Sequence, residues 1–172
     1  KTATMGYDGK GQSIIDKNSN ISQIWKNYQN QQLILEDFVD YQKEISVIIA
    51  RNKNQQIAIY QSVENIHKNN ILNTTIYPAK ISQETSKNAQ IIAQKIAEEL
   101  NLIGILAIEF FVLKTGDLLI DELAPRPHNS GHITIDFSIT SQFEQLARIL
   151  TNLPLGNPNF TQKPKNKTKN QK

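Results

Sequence analysis

The stretch 103-IGILAIEFFVLKTGDLLIDELAP-125 decides the fold class, because it contains two apolar runs on either side of Thr115-Gly116. Two such runs around a short turn are typical of an antiparallel β-hairpin. A second pair of β-rich runs, at 44–51 and 56–63, indicates another hairpin. Antiparallel strand pairs mixed with helices predict an α+β fold rather than a doubly wound parallel sheet.

Two glutamates of the first hairpin are expected to face each other. If the turn is centred on its Thr-Gly pair, Val112 lies opposite Leu119, and Glu109 lies opposite Glu122. Facing side chains of an antiparallel pair lie about 5 Å apart on one face of the sheet. Two carboxylates so placed repel each other, and the apolar run around Glu109 makes its charge still more unfavourable.

A cation between the two carboxylates would remove this repulsion. Mg²⁺ typically binds one or two carboxylates together with substrate phosphates, so the hairpin favours Glu109 and Glu122 as magnesium ligands. Three alternatives stay open. One acid could be protonated, a lysine or arginine could pair with Glu109, or a one-residue register shift could place Asp121 or Leu123 opposite it.

The segment that follows the hairpin, 121-DELAPRPHNSGH-132, is rich in side chains that bind anions. Its prolines stiffen the chain, and Arg126, His128, Asn129 and His132 place polar atoms close together. An arginine holds a carboxylate or phosphate through two parallel hydrogen bonds. The segment therefore predicts an anion site beside the metal site, although a structural loop with Arg126 paired to a local acid is the alternative.

The amino-terminal stretch 1-KTATMGYDGKGQS-13 carries three closely spaced glycines, Gly6, Gly9 and Gly11, with Lys10 between the last two. Backbone amides and a lysine in such a loop are suited to bind phosphate. The stretch is not a Walker A motif, because Gly9-Lys10 is followed by Gly11 rather than by serine or threonine. A plain hairpin tip explains the glycines about equally well.

The composition of the 172 residues, 38% hydrophobic and 20% charged, indicates a globular chain. The absence of cysteine excludes disulfides and cysteine-based metal or nucleophile chemistry. No apolar run is long enough for a membrane-spanning helix, and no signal peptide is visible, so we expect a cytoplasmic protein without a membrane partner. The first residue is Lys rather than Met, which suggests a fragment or a processed chain.

The charge of the chain is uneven along its length. The net charge of +3 includes five lysines within 157–172, so the remaining residues carry −2. We expect residues 157–172 to form a disordered tail behind an ordered domain at 1–156, because the tail has no apolar periodicity. The acidic body argues against a nucleic-acid partner.

Periodicity and capping residues predict the other elements. Helices are expected at 21–28, 82–101 and 141–150. Two more strands are expected at 12–16 and 32–39. The polar segment 64–82 is expected to be mostly a loop, with one possible strand near its end.

Four motifs together resemble one enzyme family. They are 6-GYDGKGQ-12, 63-VENIHKNNIL-72, 121-DELAPRPHNSGH-132 and 141-SQFEQLARILTNLPLG-156. These stretches are similar to the 5-(carboxyamino)imidazole ribonucleotide synthases, which are ATP-grasp enzymes. The resemblance covers residues 1 to about 156. It implies an ATP-grasp fold of mostly antiparallel sheets with packed helices, and a homodimer.

The resemblance also implies a reaction. ATP and bicarbonate form carboxyphosphate and ADP, and the carboxyl group then passes to the amine of aminoimidazole ribonucleotide in purine biosynthesis. The positions that it implies for Mg²⁺ are Glu109 and Glu122. The positions that it implies for bicarbonate and carboxyphosphate are Tyr7, Lys10, Arg126, His128 and Asn129. The positions that it implies for the nucleotide are Lys1, Gly6, Tyr7, Asp8, Gly9, Lys10, Gly11, Gln12, Glu36, Asp37, Phe38, Val39, Glu44, His67, Asp121 and Glu122.

The sequence departs from the family pattern at several points. Asp121 stands where the family usually has asparagine, which adds a charge beside the metal ligands. Judged by the resemblance, we expect the chain to be a central piece that lacks the family's amino-terminal substrate domain and its small carboxy-terminal domain. Two alternative functions are therefore a nucleotide-binding remnant without turnover and another ligase that forms carboxyphosphate.

Overall fold

The computed structural model describes residues 1–4, 6, 10–29, 31–161 and 168–169. The chain divides into two units. The first comprises Lys1–Val39 and Lys68–Ile71, and the second comprises Asp40–His67 and Leu72–Lys172. In the described part of the chain, no helix is long and apolar enough to cross a membrane.

The first unit contains one helix, α1 (Ile21–Asn27), within its described residues. Its cap is the predicted Asn20, whose side chain accepts a hydrogen bond from the backbone of Gln23. The strands predicted at 12–16 and 32–39 are wrong, because the described backbone there forms only an isolated bridge, Thr2–Leu33. An apolar run becomes a strand only where a neighbouring strand supplies backbone partners.

One sheet accounts for the strands of the second unit, and only its strand residues Lys68 and Ile71 are grouped with the first unit. Its strands are β1 (Tyr41–Arg51), β2 (Ile57–Ile59), β3 (Val63–Lys68), β4 (Ile71–Ile76), β5 (Gly104–Leu113), β6 (Leu118–Ala124) and β7 (Thr168–Lys169). Their order is β6-β5-β1-β3-β4-β7, and β2 also pairs with β1. The pairs β1–β2, β1–β3, β1–β5, β4–β7 and β5–β6 are all antiparallel. The two predicted hairpins, β1–β2 and β5–β6, are confirmed, whereas β7 lies within the tail that is expected to be disordered.

The segment 64–82, predicted as mostly a loop with one possible strand near its end, contains most of β3 as well as β4, so the prediction of a loop is wrong. The two strands are joined at Asn69 and Asn70, which both have positive φ, of 53° and 60°. A pair of residues with positive φ is typical of the two-residue hairpin turn, and asparagine adopts this conformation more readily than most residues.

Three helices accompany the sheet, α2 (Gln83–Glu99), α3 (Thr134–Phe137) and α4 (Gln142–Leu150). The predicted helices 82–101 and 141–150 are therefore confirmed, with ends that differ by one or two residues. Ser82 and Ser141 cap α2 and α4 by accepting hydrogen bonds from backbone amides in the first turn.

Both faces of the central strands are covered. On one face the fully buried Ala89, Ala93 and Ala97 of α2 pack on side chains of β1 and β5 such as Ile45 and Phe110. On the other face Ile149 of α4 packs in a second cluster with Ile48, Ala107 and Ala124. Burial on both faces explains the near-continuous apolar sequence of β1 and β5.

Residues 157–161 differ from the prediction of a disordered tail. The backbone of Asn159 accepts a hydrogen bond from Ile139, and Thr161 donates one to Phe137. Phe160 stacks on Tyr77 with ring centroids 3.9 Å apart. Contacts with the preceding helical segment thus order the start of the tail. Residues 162–167 and 170–172 lie outside the described part of the chain.

Candidate functional site

The β5–β6 hairpin places Glu109 opposite Glu122, as predicted. The predicted pair Val112–Leu119 is wrong, because Val112 lies opposite Leu118. The register shifts between Glu109 and the next residue of β5, where β6 contains one extra residue. Such a bulge redirects side chains and is frequent beside active sites.

The turn of this hairpin explains the altered register near its tip. The amide of Leu113 donates to Asp117, and the amide of Gly116 donates back to Leu113. The turn therefore has three residues instead of two, and Gly116 has a φ of 91° that suits glycine. The later bulge offsets the shift, so the two glutamates still face each other.

Strand alternation brings more polar side chains to the face that carries Glu109. Glu44 of β1 pairs in register with Asn65 of β3, and both belong to this face, as does His67 two residues further on. Asn65 Nδ2 donates to Glu109 Oε1 at 3.3 Å. The structure thus assembles Glu44, His67, Glu109 and Glu122, which the sequence assigned to nucleotide and metal.

Burial and like charges raise the pKa of Glu109 to about 7. Its side chain is 12% exposed. Burial is the largest cause, and the charges of Glu122, Asp121 and Glu44 act in the same direction, whereas His67 opposes them. A cation beside Glu109 would favour the ionised carboxylate instead.

Glu44 and His67 form a hydrogen-bonded ion pair through Oε2 and Nδ1. Burial opposes ionisation of Glu44, but hydrogen bonds from His67 and Tyr41 lower its pKa. The same bond raises the pKa of His67. Tyr41 also stacks on Phe111, with centroids 4.4 Å apart. Glu44 is therefore held in a fixed position as a carboxylate.

The loop after β6 brings His128 close to the carboxylate of Glu109. His128 Nδ1 lies 3.7 Å from Glu109 Oε1 and 2.9 Å from Ser130 Oγ. Burial, with the nearby charge of Arg126, lowers the pKa of His128 to about 4, so the imidazole is neutral near pH 7. Arg126 and Asn129 are exposed, and Arg126 donates to the carbonyl of Pro127 at 3.2 Å.

Among the other predicted nucleotide residues, Asp121 is the extra residue of β6, next to Glu122. The rest lie in the first unit. Lys1 Nζ forms an ion pair with Glu36 Oε1 at 2.8 Å. Asp37, Phe38 and Val39 follow, and the Phe38 side chain is 84% exposed.

The described part of the glycine loop folds back on Thr2, whose amide donates to the carbonyl of Gly11 at 2.8 Å. Gly11 has a φ of 74°, and a Cβ there would lie 2.6 Å from Thr2 Oγ1. A side chain is therefore excluded at this position. Gly6, Lys10 and Gln12 are described with it, whereas Tyr7, Asp8 and Gly9 lie outside the described residues.

The described residues contain no group of three His, Asp or Glu side chains arranged to hold a metal ion by themselves. Two carboxylates completed by phosphate oxygens are nevertheless a usual magnesium arrangement. The assignment of Glu109 and Glu122 to Mg²⁺ therefore stays a prediction.

Sequence reasoning missed Asn65 and Tyr41, which contact Glu109 and Glu44. The sequence pattern predicts a loop at Asn65. Its spacing from His67 on alternate positions was the available signal for a shared strand face.

Comparison with known proteins identifies the fold. A family model of the ATP-grasp domain matches residues 1–143. The chain belongs to the ATP-grasp family. The ATP-grasp fold expected from the resemblance is confirmed. The face of the sheet that carries Glu44, Glu109 and Glu122, called the acidic face, lies within the matched residues.

Several relatives of this ATP-grasp chain are N5-carboxyaminoimidazole ribonucleotide synthases. N5-carboxyaminoimidazole ribonucleotide synthase of Bacillus subtilis is 47% identical over 156 residues, which is 91% of the chain and 41% of the relative. A crystal structure of an N5-carboxyaminoimidazole ribonucleotide synthetase with ADP has a TM-score of 0.88 at 46% identity, covering 93% of this chain and 42% of that one.

A third similar protein is N5-carboxyaminoimidazole synthase from Aspergillus clavatus, solved with ADP and 5-aminoimidazole ribonucleotide. It has a TM-score of 0.75 at 27% identity, and the match covers 80% of this chain and 37% of that one. The ATP-grasp chain thus spans about two fifths of the length of these relatives.

Proposed function

We propose that this chain is the ATP-grasp portion of a 5-(carboxyamino)imidazole ribonucleotide synthase. The proposed reaction is the ATP- and bicarbonate-dependent carboxylation of 5-aminoimidazole ribonucleotide through carboxyphosphate. The observation that carries it is the facing pair Glu109 and Glu122 within a matched ATP-grasp domain whose relatives bear this enzyme's name. A phosphate-transfer site needs such oxygen ligands for the cation that accompanies ATP.

The residues around Glu109 fit a magnesium ion. Glu109 and Glu122 offer carboxylate oxygens, and the buried Asn65 Oδ1 has no hydrogen-bond partner among the described residues. An unpartnered buried oxygen beside a carboxylate with a raised pKa is suited to a hard cation. When bound, Mg²⁺ would neutralise charge on the phosphates of ATP.

Arg126 and its neighbours are proposed to hold bicarbonate and carboxyphosphate. The Arg126 guanidinium can bind two oxygens of a planar carboxylate-like anion. His128 is neutral, so it offers a hydrogen bond to the anion without the positive charge that would draw Glu109 into an ion pair. Tyr7, Lys10 and Asn129 are also assigned to bicarbonate and carboxyphosphate.

Positioning is proposed to supply most of the catalysis. Two anions, bicarbonate and the terminal phosphate of ATP, must approach each other, and each needs its charge offset by fixed positive or hydrogen-bonding groups. Lys1 and the loop amides of Gly6–Gln12 are assigned to the phosphates, and Glu36–Val39 to the adenine. Glu44, already oriented by His67 and Tyr41, is assigned to the ribose hydroxyls.

The homodimer and the cytoplasmic location stay predictions. A nucleotide-binding chain without turnover is the main alternative.

The test is phosphate release from ATP with Mg²⁺, with and without bicarbonate and aminoimidazole ribonucleotide. It uses this chain and the same chain extended by the flanking domains of its relatives. We expect release that depends on both bicarbonate and acceptor, and its loss in Glu109→Gln. The control is Glu99→Gln, an exposed glutamate on α2, which packs on the opposite face of the sheet.

Two results would change the assignment. Nucleotide binding without phosphate release in either form would identify a remnant. Phosphate release that requires bicarbonate but does not change when aminoimidazole ribonucleotide is added would indicate a different carboxyphosphate-forming ligase.

A further inference from the structure

The loop at 126–129, which is proposed to bind bicarbonate, is called the anion loop. Gln142, in the first turn of α4, binds the backbone of this loop with both ends of its side-chain amide. Its Oε1 accepts from the amide of His128 at 2.9 Å, and its Nε2 donates to the carbonyl of His128 at 2.7 Å. The Gln142 side chain is fully buried. One side chain thus binds both backbone polar groups of a buried loop residue. The carbonyl of His128 also accepts from the amide of Gly131 at 3.0 Å.

The surroundings hold Gln142 itself in place. The backbone amide of Gln142 donates to Thr134 Oγ1 at 2.9 Å, and that hydroxyl donates to the carbonyl of Gly131 at 2.6 Å. A Cβ on Gly131 would lie 2.3 Å from Gln142 Oε1. The loop and the glutamine therefore fit together without spare space, and neither can shift alone.

The anchored residue lies between side chains assigned to the reaction. His128 is followed directly by Asn129 and comes two residues after Arg126, and its own ring lies 3.7 Å from Glu109. Fixing both backbone groups of His128 fixes the direction in which the loop leaves β6. Displacement of such a loop by about 1 Å can lower a rate by about a hundredfold.

We propose that Gln142 is a positioning residue that holds the 126–129 loop in the geometry needed to bind bicarbonate. This proposal rests on the proposed function, because the role of the loop in bicarbonate binding comes from there. Gln142 contacts the loop backbone and is assigned no contact with substrate.

Gln145, one turn later on α4, is a matched control within the same chain. It is also fully buried, and its amide binds the backbone of Gly156 in the same manner, at 2.7 and 3.0 Å. Replacement of either glutamine by methionine removes the same two hydrogen bonds at similar side-chain length. Only the Gln142 variant releases the anion loop.

The experiment compares Gln142→Met, Gln145→Met and the parent chain in the phosphate-release assay, with bicarbonate and ATP varied separately. For Gln142→Met we expect the KM for bicarbonate to rise at least about tenfold, with the KM for ATP changed less than about twofold. Gln145→Met is expected to leave both KM values within about twofold while lowering the urea midpoint to a similar degree. Equal kinetic losses in the two variants, or none in Gln142→Met, would overturn the proposal.

Amide hydrogen exchange separates this proposal from the proposed function. If the parent chain releases no bicarbonate-dependent phosphate, the proposed function fails. The exchange rates of amides 128–131 then still test whether Gln142 anchors the loop. Exchange at least about tenfold faster in Gln142→Met but not in Gln145→Met supports the anchor, and equal exchange in both refutes it. If Gln142→Met does not fold, Thr134→Val removes the supporting hydroxyl more gently and must show the same selectivity.

Discussion

Replacing Glu109 by glutamine is expected to stabilise the folded chain above neutral pH when no divalent cation is present. Burial of Glu109, together with the charges of Glu122, Asp121 and Glu44, raises its pKa to about 7, and His67 only partly offsets this. The glutamine is nearly isosteric and uncharged. It therefore removes a buried like-charge repulsion without leaving a cavity.

The magnitude follows from the pKa of Glu109. The folded value of about 7 exceeds the ordinary 4.5 by roughly 2.5 units, and each unit is worth about 1.4 kcal/mol, so ionised Glu109 destabilises the fold by roughly 3 kcal/mol.

The pH window has a definite sign. Below about pH 4.5 Glu109 is protonated in both the folded and unfolded states. The free energy of unfolding is therefore the same there for the parent and for Glu109→Gln. Between about pH 4.5 and 7 the folded state holds more protons than the unfolded state, so the stability of the parent falls as pH rises. Above about pH 7 this loss is complete.

Urea unfolding at pH 5 and pH 8, with a chelator present, measures the effect. We expect Glu109→Gln to gain roughly 3 kcal/mol over the parent at pH 8 and little at pH 5. Glu99→Gln, which changes an exposed glutamate, is expected to match the parent at both values. A Glu109→Gln variant that is no more stable than the parent at pH 8 would refute the argument that Glu109 is a charged, uncompensated group.

Three further predictions concern neighbouring features. Gly131→Ala is expected to lower the free energy of unfolding by about 1–3 kcal/mol in urea, because its Cβ would meet Gln142 Oε1 at 2.3 Å. Gly11→Ala is expected to weaken ATP binding measured by calorimetry at least about tenfold, because φ is positive and a Cβ would lie 2.6 Å from Thr2 Oγ1; unchanged affinity would argue for a plain turn. His67→Ala is expected to raise the pKa of Glu44 in NMR titration, because it removes a hydrogen bond that lowers this pKa. An unchanged pKa of Glu44 would contradict the pairing.

The hairpin shows what sequence patterns predict well and what they miss. The facing of Glu109 and Glu122 was predicted, but the register nearer the turn was not. The actual turn is one residue longer, and a bulge in β6 restores the register. Two compensating irregularities leave the apolar pattern almost unchanged, so periodicity alone does not reveal them.

Strand β3 was missed because the site uses it. Its residues Asn65 and His67 point to the acidic face, so positions that would be apolar in an ordinary core strand are polar. A functional face thereby breaks the pattern from which strands are recognised. The opposite error occurred at 32–39, where apolar residues such as Leu35 and Phe38 are 84% exposed and form no strand.

The position of Glu109 links function to stability. Its strand, β5, is paired on both sides, with β1 and with β6, so the backbone cannot move Glu109 out to water without breaking the sheet. The carboxylate is therefore kept where its charge is unfavourable in the free chain. The same environment makes a cation that reaches both glutamates bind more strongly, since binding removes the repulsion. A site built on paired strands, rather than on a loop, retains this charge arrangement before any ligand arrives.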